Sequence, residues 1–164
     1  MKLISCTIEN FGKLNNVTYD FSGECNTICE DNGWGKSTLA SFIRVMFYGF
    51  KNESKKKLVD KERNRLMPWQ KGVYGGEIVF ETGGVVYSLR RTFGKKQVDD
   101  EFLLVRKDTN VECDDFSCDI GEELFKIDAQ SFERTVFIGQ SDCVTATTDS
   151  INAKIGNLAD NTDD

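Results

Sequence analysis

The chain contains no histidine, and a single proline among 164 residues. Without imidazole, no mixed cysteine–histidine zinc site can be completed, and none of the six cysteines forms a CxxC pair. Three residues separate Cys25 from Cys29, four separate Cys113 from Cys118, and Cys6 and Cys143 stand apart. The pattern reads as six free thiols, with Cys6, Cys25 and Cys29 in apolar, strand-like stretches where cysteine behaves as a small hydrophobe. Apolar runs of the roughly 20 residues needed to span a bilayer are missing. The opening "MKLISCTIENF" alternates and carries Glu9, so it reads as a strand and not as a leader. A cytoplasmic location with no membrane partner is expected. Internal repeats and low-complexity tracts are also absent.

Hydrophobic residues at 39% and charged residues at 29% suit one soluble domain with one core. The net charge of −6 argues against a nucleic-acid binder that is basic all over. The charge is uneven, because residues 51–71, "KNESKKKLVDKERNRLMPWQK", hold eight Lys/Arg against three acids. This aperiodic segment contains Pro68 and reads as a solvated loop. Its alternative is contact with the DNA backbone, flanked by Phe50 and Trp69.

Residues 2–9 suggest a strand, with Val17–Phe21 its hairpin partner across "GKLNN". Glu24–Glu30 suggests a third strand, and Thr27-Ile28-Cys29 leads from it into a glycine loop. Beyond the loop, Leu39, Phe42, Ile43, Met46 and Phe47 recur with the spacing of one helical face, and Gly49 supplies a stop. Gly76–Glu81, Val85–Thr92 and Glu101–Lys107 read as strands, the first two joined by a Gly83-Gly84 hairpin. They suggest an antiparallel patch inserted after a first βα unit. Short helices are expected over Ile120–Ile127 and Ala129–Arg134, an apolar strand over Thr135–Gly139, and a further helix from Ser150 to Ala159.

The glycine loop is "CEDNGWGKST", Cys29 to Thr38. Gly35-Lys36-Ser37 ends the G-x-x-x-x-G-K-[ST] pattern, but Glu30 stands where the first glycine belongs. Such loops aim successive backbone N–H groups and a helix N-terminus at phosphate oxygens. Gly33 and Gly35 relieve the curvature, Lys36 offers a charge for the β/γ-phosphates, and Ser37 a magnesium ligand. Glu30 weakens phosphate binding if its carboxylate points inward and is tolerated if it points away.

"IENFGKL", "EDNGWGKSTLASFIRVMFYG" and "SFERTVFIGQSD" together resemble the N-terminal half of an ATPase head of the SMC/SbcC/RecN type. They are similar to bacterial AAA-family ATPases that pair "NGWGKST" with "FERTVFI-Q". The resemblance runs from Leu3 to about Ser150. It implies an α/β P-loop NTPase fold, an ABC-ATPase-type half-head over residues 1–150, with 151–164 starting a helix towards a coiled coil. It implies ATP and Mg2+ as cofactors and a DNA repair or chromosome-maintenance role. Asn32, Gly33, Trp34, Gly35, Lys36, Ser37 and Thr38 would form the phosphate cradle, and Lys13 resembles a basic residue that approaches the nucleotide. Gln140 resembles the Q-loop glutamine that senses magnesium and the attacking water, although by residue type alone it is an ordinary amide. Catalytic roles would then fall to Lys36 and Gln140, and metal contacts to Ser37 and Gln140.

The family's second half is missing from these residues. Ile78-Val79-Phe80-Glu81 carries one acid before Gly-Gly and reads as the edge of a strand, not as a Walker B Asp-Glu. An LSGG-like signature and a heptad run are also absent. The expected partner is therefore a C-terminal ATPase half or a second head, without which ATP is bound but not hydrolysed. The alternative is a non-enzymatic interaction module whose loop Glu30 has disabled. A free-standing P-loop kinase or GTPase fits poorly, lacking a Walker B acid and an N-K-x-D motif.

Overall fold

The computed structural model describes residues 1–21, 23, 25–51 and 61–137. The chain divides into two compact units, Met1–Cys118 and Asp119–Asp164.

Among the described residues, the first unit has six strands: β1 (Lys2–Phe11), β2 (Leu14–Asp20), β3 (Gly75–Thr82), β4 (Val85–Thr92), β5 (Glu101–Arg106) and β6 (Val111–Glu112). They lie in the order β2-β1-β3-β4-β5-β6, and each neighbouring pair is antiparallel. Alternation along β1, β3 and β4 puts one cross-strand row, Cys6–Ile78–Leu89–Leu104, into the core. Helix α1 (Lys36–Tyr48) covers this face, its Phe42 ring 5.1 Å from Phe11 and its Phe47 ring 5.8 Å from Phe80. The opposite face is polar, with the Glu9–Arg90 and Glu77–Lys107 ion pairs. Burial raises the Cys6 thiol to about 12, so it stays protonated as a core residue. The Gly83-Gly84 turn has both residues at positive φ, 58° and 78°, the geometry that a two-residue hairpin requires.

Several expectations are corrected. No strand forms over residues 25–30, because this short run stays almost wholly exposed and buries no apolar face against the sheet. Cys25 and Cys29 are accordingly exposed and not buried. The antiparallel patch is not a separate insertion, since β3 pairs directly with β1 along Lys2↔Glu81 to Asn10↔Gly75. Ile78-Val79-Phe80-Glu81 lies inside β3, between β1 and β4. Residues 51–71 are not loop throughout: a one-turn helix, α2 (Glu62–Arg65), forms there with Glu62 and Arg63 buried. Residues 52–60, including Lys55, Lys56 and Lys57, lie outside the described residues.

In the second unit, α3 (Ile120–Phe125) and α4 (Ala129–Thr135) are the two expected short helices. The Asp128 carboxylate caps α4 by accepting the Ser131 N–H at 2.7 Å, and the Phe125 and Phe132 rings meet at 4.8 Å. The strand expected over Thr135–Gly139 does not begin at Thr135, which closes α4 and donates its hydroxyl to the Ser131 carbonyl at 2.7 Å. Gln140, Cys143 and the helix expected from Ser150 lie outside the described residues.

Candidate functional site

The glycine loop delivers the chain into α1. Gly33 and Gly35 both adopt positive φ, 84° and 129°, and Gly35 is the N-cap. That φ lies in the region that side chains disfavour, so the sequence places glycine where the turn requires it. No side chain caps α1, and its first turn contains no acid. The N–H groups of Lys36, Ser37 and Thr38 therefore keep the positive end of the helix unopposed by any neighbouring carboxylate of their own turn. The Lys36 ammonium folds back over the loop and donates to the Asp31 carbonyl at 3.1 Å and to the Glu30 carbonyl. The result is an exposed cationic turn ahead of an uncapped helix N-terminus, an arrangement that suits an anion.

Glu30 does not take the role that glycine would hold at its position. It is absent from the residues with positive φ, so the backbone there needs no glycine. Its carbonyl seats Lys36, and its charge is felt at the Tyr19 phenol, which burial raises first and Glu30 second.

The turn between β1 and β2 forms one wall of the loop. A Cβ on Gly35 would lie 2.9 Å from Leu14 Cδ2 and 3.2 Å from Lys13 Cε, and one on Gly12 would lie 2.9 Å from Thr38 Cγ2. Lys13 is thereby brought against the loop, with its side chain exposed. Trp34 packs edge-on against Tyr19 of β2, with the ring centroids 5.9 Å apart. Seven of the residues singled out from sequence, Asn32 to Thr38, are contiguous here, and Lys13 joins them from the turn.

Behind the loop, α1 is locked by charge. Arg44, only 2% exposed, pairs with Glu62 and donates to the Gly49 carbonyl at 2.9 Å. Glu62 also accepts the Lys51 N–H at 2.8 Å. The neighbouring Arg63, also 2% exposed, makes a bidentate pair with Asp100 at 2.6 and 2.8 Å and lies 4.5 Å over the Phe50 ring. Arg63 is thus withdrawn from any phosphate contact by the basic segment. Phe50 is withdrawn too, since it packs among Phe11, Tyr74 and Phe93 instead of flanking a binding face. Trp69 remains exposed.

Sequence reasoning missed Tyr19 and Leu14 as supports of the loop and Arg44 and Glu62 as its rear lock. The alternation of β2 gave a signal for Tyr19; the buried ion pair gave none.

A family model described as an AAA domain matches residues 5–163. The "Uncharacterized protein YhaN" of Bacillus subtilis (strain 168) is 35% identical over 82 residues, which cover 49% of this chain and 8% of that protein. The chain thus aligns with a small part of that relative's length.

Proposed function

The chain belongs to the AAA domain family, and from that premise we propose that it is the ATP-binding N-terminal half of an SMC/SbcC-like ATPase head. The observation that carries this reading is Lys36 drawn over the Glu30 and Asp31 carbonyls beneath the uncapped start of α1. The N–H groups of Asn32–Thr38 would cradle the phosphates, and Lys36 would reach the β/γ end. Lys13, already against Gly35, would approach from the turn. Mg2+ arriving with ATP would neutralise phosphate charge, with Ser37 and Gln140 as its ligands from this chain. The head lobe would span 1–150, and 151–164 would lead towards a coiled coil.

Hydrolysis would require a partner half or a second head to supply the signature and the water-activating acid. Losing one such contribution costs on the order of 10²–10⁴ in rate, and both would come from elsewhere. Action in the cytoplasm on DNA, in repair or chromosome maintenance, follows from the same resemblance. Lys55, Lys56 and Lys57 would then make the salt-sensitive backbone contacts. The non-enzymatic reading draws on Glu30 as a lesion, but the ordinary φ of Glu30 and its carbonyl contact to Lys36 weigh against it.

Mg-ATP at 100 times its dissociation constant should stabilise the fold by about 2.7 kcal/mol. Lys36→Ala should abolish the resulting thermal shift and leave the apo melting point in place, because Lys36 is exposed. An equal shift in the mutant would refute the site. Lys36-dependent multiple turnover by these residues alone would refute the half-head.

A further inference from the structure

We propose that Trp69 is the base platform of the nucleotide site, its indole stacking on the base of the bound nucleoside triphosphate. The proposal rests on the phosphate-loop reading above.

Trp69 is 98% exposed. Tryptophan carries the largest apolar surface of any side chain and is highly buried on average, so a displayed indole is unusual. Fraying does not account for it, because the segment bearing it is fixed at one end to the β1–β2 turn and at the other to β1. At one end, the buried Leu66 accepts the Gly12 N–H at 2.7 Å. At the other, the Val73 carbonyl accepts from the Asn10 side chain at 3.0 Å. Gly72 closes that end with φ 137°, and a Cβ there would lie 2.6 Å from Asn10 Nδ2. The backbone is pinned and the indole at its tip is left uncovered. That arrangement presents a flat apolar face without the entropy of an untethered loop.

The anchor fixes which part of a ligand this face can meet. Gly12, hydrogen-bonded to Leu66, is also the residue whose Cβ position lies 2.9 Å from Thr38 and 3.6 Å from Leu66 Cδ2. The β1–β2 turn therefore touches the phosphate loop on one side and the Trp69 segment on the other. With the β- and γ-phosphates at Lys36 and Ser37, a nucleotide that leaves the loop past Thr38 would meet this turn with its ribose. Trp69 lies three residues beyond Leu66, a reach of up to roughly 10 Å of chain, so its indole is within range of a base that emerges past this turn. Among the described residues no other aromatic at this wall is uncovered: Trp34 is packed on Tyr19, and Phe11, Phe50 and Tyr74 belong to the aromatic core. Face-to-face stacking reads a base by its π-surface, so the platform accepts a nucleotide and ignores a bare phosphate chain.

The test labels the chain with 5-fluorotryptophan, assigns its two fluorine resonances by Trp69→Phe, and titrates Mg-ATP and Mg-tripolyphosphate separately. Tripolyphosphate is expected to move the Trp34 resonance alone, and Mg-ATP both. Trp69→Ala should weaken Mg-ATP about tenfold while leaving tripolyphosphate affinity unchanged, and Trp69→Phe should restore most of the loss. If both ligands bind but Trp69 does not respond and Trp69→Ala changes neither affinity, the platform is refuted and the phosphate site stands. If neither ligand binds, the phosphate-loop reading falls and the platform with it. A Trp69 resonance that moves with protein concentration and not with ATP would assign the face to self-association and overturn the proposal.

Discussion

The two ends of α1 are held in opposite ways. At its N-terminus, Lys36, Ser37 and Thr38 meet a loop of exposed residues, with no capping side chain and no acid in the turn. At its C-terminal half, Arg44, Val45, Met46 and Phe47 are buried, and Arg44 is paired with a carboxylate that is itself buried. Rigidity is concentrated behind the site, and unsatisfied backbone polarity is left in front of it. A binding end can keep unpaired N–H groups only if something else fixes the helix that carries them.

The strongest way to break this contrast is at the rear. Arg44→Ala leaves the Glu62 charge buried without its partner, and the expected loss is about 3–5 kcal/mol in urea unfolding. The double replacement Arg44→Leu with Glu62→Leu should recover most of it. A single mutant that unfolds like the wild type would show that the pair does not hold the helix.

Within the loop, the two glycines differ. Gly35→Ala meets Leu14 at 2.9 Å in addition to its φ of 129°, whereas Gly33→Ala at φ 84° meets nothing within 4 Å. Gly35→Ala should cost about 1–3 kcal/mol and abolish the Mg-ATP thermal shift. Gly33→Ala should cost about 1 kcal/mol and keep part of the shift. Equal effects would mean that the wall formed by the β1–β2 turn is irrelevant to the loop.

Glu30→Gly should change Mg-ATP affinity by less than about threefold, because an exposed charge is screened and its backbone already adopts an ordinary φ. Marked tightening would show the carboxylate opposing the phosphates.

The smallest effect concerns acid. Hydrogen bonds from Tyr87 and Arg106 hold the Asp115 carboxyl below its ordinary value. Burial raises Glu77, but the Ser88 hydroxyl and the Lys107 ammonium outweigh it and leave that carboxyl lowered too. Both folded values lie below the unfolded ones, so their stabilisation is complete above about pH 4.5 and is lost as pH falls through the folded values. The melting point should be flat from pH 7 to 5 and decline below about 4, with the decline shallower in Asp115→Asn. A melting point that rises on acidification would contradict the assignment.

The sequence made some of this plain. The spacing of Leu39, Phe42, Met46 and Phe47 marks a buried helical face because side chains four apart share a side. Gly83-Gly84 marks a hairpin because few other pairs tolerate two positive φ values. The loop from Asn32 to Thr38 was legible as a contiguous motif, and Lys13 through a resemblance. Arg44, Glu62 and Arg63 were not legible, because an isolated charge in a sequence signals solvent and becomes a core residue only through a partner far along the chain. Leu14 was hidden for a related reason: it reads as part of a turn, yet it opens β2 and packs on Gly35. The strand expected over Glu24–Glu30 is absent over residues 25–30, because an apolar pattern becomes a strand only where a sheet buries it, and these residues stay exposed.

The pairing of β1 with β3 has a kinetic consequence. β3, β4 and β5 are neighbours in sequence and can pair through short closures, whereas Lys2↔Glu81 joins residues from distant parts of the chain. Closing so long a segment costs entropy before its contacts form, and α1 with its loop lies inside that segment. The meander can therefore form early, while the glycine loop gains its wall only when β1 docks. A nucleotide that recognises the finished loop would then act on the escape rate from the native state and leave the rate of reaching it nearly untouched.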